Sequence, residues 1–550
     1  MKNNRVTRHK SQVTRIVCLC VMATLCLFSL TTCAWAATTN QISQFGITWT
    51  FDKAYEYGQF ANGDYWVVGP IKIIAFDPPS TDINGRVKNG SQINPPTTPY
   101  SISNNQGFDS IAGGIFLTYT PSLNVSLGVD ASHPLAVPVN SSVLSSISYD
   151  AVQTIAQLQT IAILTVLPAA AQEGDFRPPY VGTDKAIRFN ASSLDYSKLM
   201  NLTPVGSGNP SITIVEGYFE KPWIDHTWGW PGNYLRPSNN LPQYAREMAL
   251  QLEDAVLTLN LNYTREQKAT LLKRVVQYGI DCYGIIQSGN HETWLGEGGH
   301  GQGRKLAVLF AGKVLNSPAI LSVLTKSGDY LNSNGYNPVN PPPDYIHFGE
   351  DDQTFYVSDY EVGMTMYSPN DASMGISTIQ YTSSDLGLPE WGIRHCLSPE
   401  QCNNYWPTGY RDCAGVTYAG TAMAVLIMGM KADWNHDVFF DYADRYYATA
   451  APGWKSWSTL ASNLYNAYRA DYGPIWPEKA IVLYGDVSGE GEVSAYDAAL
   501  TAQAAVGLIT LTAEQAQAAD VSGEGEVSAY DAALIAQKAV GLINKFPIEG

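Results

Sequence analysis

The chain has 550 residues, 45% of them hydrophobic, and carries 50 acidic against 33 basic side chains for a net charge of −17. So acidic a chain lacks the basic surface that nucleic acid demands, and it is too long to fold around one core.

Residues 1–36 read as a targeting segment. Lys2, Arg5, Arg8, Lys10 and Arg15 precede an apolar run from Ile16 to Leu30, and Ala34-Trp35-Ala36 has the small-x-small form of a cleavage site. The run is short for a membrane span and no other long apolar stretch follows, so an exported, soluble chain without a transmembrane span is expected. Losing the segment lowers the basic count from 33 to 28 against 50 acids, a net charge of −22. Cys282, Cys396, Cys402 and Cys413 would remain. An even number in an exported chain favours disulfides, with three pairings open. A Cys396–Cys402 bridge would close a short loop and leave Cys282 for Cys413. The spacings fit no common zinc pattern.

Residues 37–220 are expected to be β-rich. The runs Gly46–Phe51, Tyr65–Val68, Ile71–Phe76, Gly114–Tyr119 and Ser211–Val215 are short and β-branched or aromatic, with turn clusters such as Asp77-Pro-Pro-Ser80 and Asn94-Pro-Pro between them. Strands of this spacing suggest a sandwich that binds glycan or braces a neighbouring domain, bracing being preferred. A Trp- and Pro-rich crossover, Pro222 to Pro237, then changes the period. Over 221–480, apolar residues recur at three- and four-residue steps in 241–259, 264–287, 306–315, 417–430, 439–447 and 460–472. Thr264 and Gln267 form a capping box. Successive helices joined by Gly- and aromatic-rich loops suggest an α/α toroid, for a multidomain α+β chain overall.

Reactive side chains concentrate in those loops. Of the seven histidines after the targeting segment, six lie between His226 and His436. The first cluster, Gly289 to Lys305, holds His291, Glu292, Glu297, His300, Arg304 and Lys305 ahead of a helix. Free N–H groups and two cations there would cradle a sugar carboxylate or sulfate. The plainer reading is a tight loop whose charges cap helices. The second cluster holds Glu350, Asp351 and Asp352, candidates for acid, base or metal ligand, although adjacent acids more often form a solvated turn. The third is Trp391-Gly-Ile-Arg-His395 with Tyr410, Arg411 and Asp412. The fourth is Trp434-Asn-His436-Asp, where His436 is either reactive or a helix-entry residue. A lyase acting on a uronic polymer needs charge neutralisation, a base and an acid, for which His300, Arg304, Tyr410 and Arg411 are candidates. A hydrolase needs two carboxylates about 5–5.5 or 6.5–9.5 Å apart, for which Glu297, Glu350, Asp351 and Asp412 are candidates.

The C-terminal region repeats itself. Gly485–Leu508 and Ala519–Leu542 are 24-residue copies at an offset of 34, differing at three positions. Each places oxygens at loop positions 1, 3, 5, 7, 9 and 12: Asp486, Ser488, Glu490, Glu492, Ser494 and Asp497, then Asp520, Ser522, Glu524, Glu526, Ser528 and Asp531. Gly491 and Gly525 stand at position 6, where the loop turns sharply. Calcium takes six to eight oxygens, and such a loop gathers them without a large core. This duplication resembles the type I dockerin over 484–546. The resemblance implies two calcium ions and a cohesin-type module, on a scaffold or cell surface, as partner. It departs from the family in Ser at position 3 and Glu at position 5. Ala495-Tyr496 and Ala529-Tyr530, at the positions that help select the cohesin, are identical, so either helix could face the partner. The loops of the middle region are similar to those of secreted toroidal polysaccharide-active enzymes. The function these resemblances imply is polysaccharide degradation by a hydrolase or lyase. The alternative is a non-catalytic glycan-binding or surface-display protein. Peptide hydrolysis is disfavoured, since neither Gly-x-Ser-x-Gly nor His-Glu-x-x-His occurs.

Overall fold

The computed structural model describes residues 37–97, 104–113, 117–296, 298–330, 342–359, 362, 378–379, 383–391, 406–407, 413–476, 483–490 and 492–549. The targeting segment lies outside them.

The N-terminal part is built on one eight-stranded sheet that curls on itself. β1 (Thr38–Gln44), β2 (Ile47–Gln59), β3 (Tyr65–Val68) and β4 (Ile71–Asp77) are followed by β7 (Ser91–Ile93), after a small hairpin of β5 (Thr81–Ile83) and β6 (Arg86–Lys88). β8 (Asn104–Gln106) pairs with β9 (Leu117–Tyr119), and β10 (Leu135–Val137), β11 (Ser141–Ser148) and β12 (Leu158–Leu167) complete the set. The sheet order is β10-β4-β2-β3-β12-β11-β7, with β1 on β2 and one parallel pair, β12 with β3. The curl brings Trp49, Phe51 and Ile73 against Val143, Leu164 and Val166 in one buried cluster. Trp49 Nε1 crosses it to donate to Ser145 Oγ at 3.0 Å. Along β12 the alternate residues Ile161 and Ile163 point the other way, into the helical core. That is why this strand reads as an unbroken apolar run: both its faces are covered.

The middle part is helical. Its elements are α1 (Ile212–Tyr218), α2 (Arg246–Leu259), α3 (Arg265–Gln287), α4 (Arg304–Val314), α5 (Pro318–Leu321), α6 (Gly349–Gln353), α7 (Tyr418–Ile427), α8 (Lys431–Trp434), α9 (Val438–Thr449) and α10 (Thr459–Tyr468). Short pairs join β13 (Thr354–Tyr356) to β15 (Pro389–Trp391), and β14 (Thr378–Ile379) to β16 (Trp406–Pro407). The helices expected from apolar spacing form, and the Thr264–Gln267 capping box opens α3. α7 is buried along its whole length, so its sequence, Tyr-Ala-Gly-Thr-Ala-Met-Ala-Val-Leu-Ile, has no polar stripe.

Arg177 fastens sheet to helices. Its guanidinium, 1% exposed, reaches Asp64 in the β2–β3 turn at 2.7 Å and Asp281 on α3 at 2.6 Å.

Two expectations are corrected. Ser211–Val215 does not form a strand. Ser211 caps α1, its side chain accepting from Ile214 N, and Val215 is buried against the helical core, so packing overrides β-branched propensity. Of Gly114–Tyr119, Leu117–Tyr119 forms a strand, and residues 114–116 lie outside the described set. Cys282 and Cys413 are both free thiols, so they do not pair. Cys282 faces the interior of α3, where burial pushes its thiol well up. Cys396 and Cys402 are outside the described residues.

The C-terminal part has its own small core, Val487, Ala519, Val521, Leu534, Ile535 and Phe546. Around it lie α11 (Ala495–Ala505), α12 (Ala513–Ala519) and α13 (Ala529–Ala539), with α11 packed on α13.

Candidate functional site

Three of the four reactive clusters meet at one end of the helical part. The loop before α4 packs on the α6 turn through two glycines. A Cβ on Gly349 would lie 2.7 Å from the backbone of Gly301, so no larger residue fits at this contact. Gly303, at φ +94°, then turns the chain into α4 and donates its N–H to Glu350 Oε1 at 2.6 Å.

The three adjacent acids do not form a solvated turn. Each is buried and engaged differently. Glu350, 1% exposed, is pushed up to about 7 by burial, against the Gly303 hydrogen bond; its Oε2 has no hydrogen-bond partner among the described residues. Asp351 pairs with Lys305 at 2.6 Å. Burial works against both charges, raising Asp351 and lowering Lys305 while their mutual attraction opposes it. Asp352 accepts from Gly296 N at 2.8 Å and lies 2.9 Å from His347 Nδ1. From the fourth cluster, His436 Nδ1 lies 2.9 Å from Asp329 and Nε2 lies 2.9 Å from Thr354 Oγ1.

Arg304 and Lys305 are not an open cradle. Both are fully buried. Arg304 forms a fork on Asp225, with Nε to Oδ2 at 2.6 Å and Nη2 to Oδ1 at 2.9 Å. Tyr244 and Tyr278 donate to the same carboxylate at 2.7 and 3.0 Å. Asp225 in the crossover thus ties the segment leading into α2 to α3 and α4. Next to it, burial lowers His226 to about 4 although Asp225 pulls the other way.

The partly exposed face beside this framework is His300 and the start of α2. His300 lies edge-on to Trp230, with ring centroids 5.5 Å apart, and stacks near Tyr244 at 6.4 Å. Gly299 packs against Arg246, whose Cβ would be 3.4 Å from a Cβ placed there, and against the Cys413 carbonyl. The Arg246 guanidinium sits 4.0 Å over the Trp457 ring. Its Nε is 3.3 Å from Glu247 Oε1, and Glu247 also interacts electrostatically with Arg236. Ala245 between them adopts φ +71°, strained for a residue with a Cβ. Sequence reasoning missed Arg236, Arg246 and Glu247, which look like ordinary helix-entry charges. Glu297, residues 392–395, Tyr410, Arg411 and Asp412 lie outside the described residues. A cavity of about 320 Å³ between residues 176–189 and α3 is lined by Phe176, Arg188 and Tyr283 and holds none of the predicted catalytic residues.

In the tail the two loops are near copies in geometry. Asp497 Oδ1 accepts from Ser488 N at 2.7 Å and Oδ2 from Ser494 Oγ at 2.7 Å; the corresponding distances at Asp531 are 2.8 and 2.7 Å. Burial raises both carboxyls, but these hydrogen bonds outweigh it and hold them low. Ser488 Oγ stands 3.2 Å from Asp486, so positions 1, 3 and 12 converge while Glu490 and Glu492 remain exposed. Hard oxygens converging in this way suit calcium. No group of three His, Cys, Asp or Glu side chains gathers as a metal site among the described residues. The tail loops supply serine oxygens beside their carboxylates. Gly525 has φ +85°, as the turn at position 6 requires, and Gly491 lies outside the described residues.

Among the described residues no helix is long and apolar enough to cross a membrane. No curated protein and no solved structure matches the chain. Type I dockerins bind calcium and attach to cohesin modules, as in cellulosomes, and residues 484–538 match the dockerin type I domain family.

Proposed function

We propose that the chain is an exported polysaccharide-degrading protein tethered through its tail to a cohesin on a scaffold or cell surface. The observation that carries this reading is the pair of oxygen-lined loops within a dockerin type I match. Calcium would be held by Asp486, Ser488, Glu490, Glu492, Ser494 and Asp497, and in the second loop by Asp520, Ser522, Glu524, Glu526, Ser528 and Asp531. The ions would order α11 and α13. These present Tyr496 and Tyr530, 57% and 53% exposed, as the two alternative docking faces.

The division we propose is a targeting segment at 1–36, a sandwich-like brace at 37–220, an α/α toroid-like catalytic part at 221–480 and the dockerin at 484–546. His300 is the proton-transfer group of this proposal, and Tyr410 and Arg411, outside the described residues, are its proposed partners in the chemistry. Arg304, Glu350, Asp351 and His436 act as positioning residues, since each is buried against named partners. Elimination on a uronic polymer is favoured over hydrolysis, because the described candidate carboxylates Glu350 and Asp351 are closed to solvent while His300, Arg236 and Arg246 are partly exposed. The same closure of the carboxylates favours, as second reading, a non-catalytic glycan binder. The test is to incubate the full chain with neutral and uronic polysaccharides. Unsaturated, ultraviolet-absorbing ends indicate a lyase and saturated reducing ends a hydrolase. Binding without turnover establishes the second reading, and no binding or turnover on any polymer refutes both.

A further inference from the structure

We propose that the start of α2 carries a subsite for one carboxylated sugar ring, with Arg246 and Arg236 on the carboxylate and Trp457 under the ring. This rests on the polysaccharide reading above. Apart from Glu247, neither guanidinium has a hydrogen-bonding partner among the described residues. Arg236 Nε is buried without an acceptor, and Arg246 Nε has only Glu247 Oε1, at a long 3.3 Å. Leaving a buried charged donor short of acceptors is costly, so a structural role alone accounts poorly for two arginines that share the single carboxylate of Glu247. Glu247 supplies one negative charge to two cations, and a second carboxylate would restore balance. A guanidinium recognises carboxylate as a planar fork, and Arg246 sits 4.0 Å over the Trp457 ring.

The aromatic surface is of the right kind and in the right place. Trp457 and Trp454 are 39% and 42% exposed, with ring centroids 5.7 Å apart, which leaves indole surface open to the C–H face of a sugar. His300, which follows the Gly299 that packs on Arg246, adds a second aromatic contact with Trp230. The strained Ala245 fixes the point where Arg246 leaves the loop. A neutral glycan would use the tryptophans but give the guanidiniums no charge. Nucleic acid is excluded by the acidity of the chain as a whole.

The test is calorimetric titration of the full chain with tetragalacturonate, tetramannuronate and a hyaluronan tetrasaccharide, against cellotetraose as the neutral probe. At least one acidic probe should bind more tightly than cellotetraose. Arg246→Met and Arg236→Met should each weaken it at least about tenfold, and Arg246→Lys should recover only part of the loss. Trp457→Ala should weaken acidic and neutral probes alike. Thermal melting of each variant separates lost binding from lost fold, and Arg246→Lys keeps the charge if the Met variant fails to fold. Equal binding of acidic and neutral probes, binding of none of the three acids, or unchanged affinity in a folded Arg246→Lys or Arg236→Met variant overturns the subsite. Turnover of a neutral polymer with those results leaves the polysaccharide function standing; failure to bind or cleave any polymer removes both.

Discussion

Glu350 is a carboxyl whose titration the fold moves up to about 7, and replacing it with glutamine exposes the cost. Burial raises it from an ordinary 4.5 to about 7. That displacement is worth roughly 3 kcal/mol at about 1.4 kcal/mol per tenfold. The folded protein then binds more protons than the unfolded chain between pH 4.5 and 7, so stability falls as pH rises through that window and levels off above it. Glu350→Gln keeps the shape and an acceptor for Gly303 N but cannot ionise. The variant should gain on the wild type by less than about 1 kcal/mol at pH 5 and by about 3 kcal/mol at pH 8. Chemical denaturation followed by Trp fluorescence at the two pH values measures the difference directly. A gap between variant and wild type that does not widen from pH 5 to pH 8 would refute the reasoning.

The comparison must be made between proteins rather than along the wild-type curve, because His226 opposes Glu350. Burial lowers His226 from 6.5 to about 4, so the unfolded chain binds the extra proton between those values and stability falls on acidification. From pH 8 to pH 5 this removes about 2 kcal/mol, close to what Glu350 returns over the same interval. Asp254, raised to about 6, and Lys185, lowered to about 7, also titrate in this range, so the difference between variant and wild type is the readout rather than either curve alone. Glu350→Gln should uncover an acid-side loss, and His226→Gln an alkaline-side one.

Arg177→Met should cost about 3–5 kcal/mol, because it strands two buried carboxylates, Asp64 and Asp281; urea midpoints would show it, and a loss under 1 kcal/mol would count against the clamp. Chelating calcium should abolish capture by a cohesin and lower the helical circular dichroism of the tail, whereas unchanged spectra and capture would remove calcium from the account. Asp497→Ala and Asp531→Ala together should reproduce the chelator effect, since each carboxylate closes its own loop.

The tail was the most legible part because its information is local. Spacing within twelve residues names the ligand atoms, and Ser494 and Ser528 cap the following helices within three residues. The long helices were legible from their apolar period for the same reason. β11 and β12 escaped notice: β11 is rich in buried serines whose partners, such as Trp49 and Ser91, are distant in sequence, and β12 is covered on both faces and so shows no alternation. The convergence of the Gly-rich and acidic loops was not readable, because a Gly301–Gly349 contact leaves no mark except two glycines.

The assignment of charges to roles failed for a related reason. Arg304 with Asp225, and Lys305 with Asp351, are joined across 79 and 46 residues. Such pairs are chosen by the packing of α4 against its neighbours, and a sequence motif rich in cations cannot tell a ligand cradle from an internal brace. Where two cations share one carboxylate, as Arg246 and Arg236 share Glu247, the sequence offers only two ordinary arginines flanking a helix start. The distinction between structural and functional charge in this protein is therefore one of unmet valence. It becomes visible only after every buried partner has been counted.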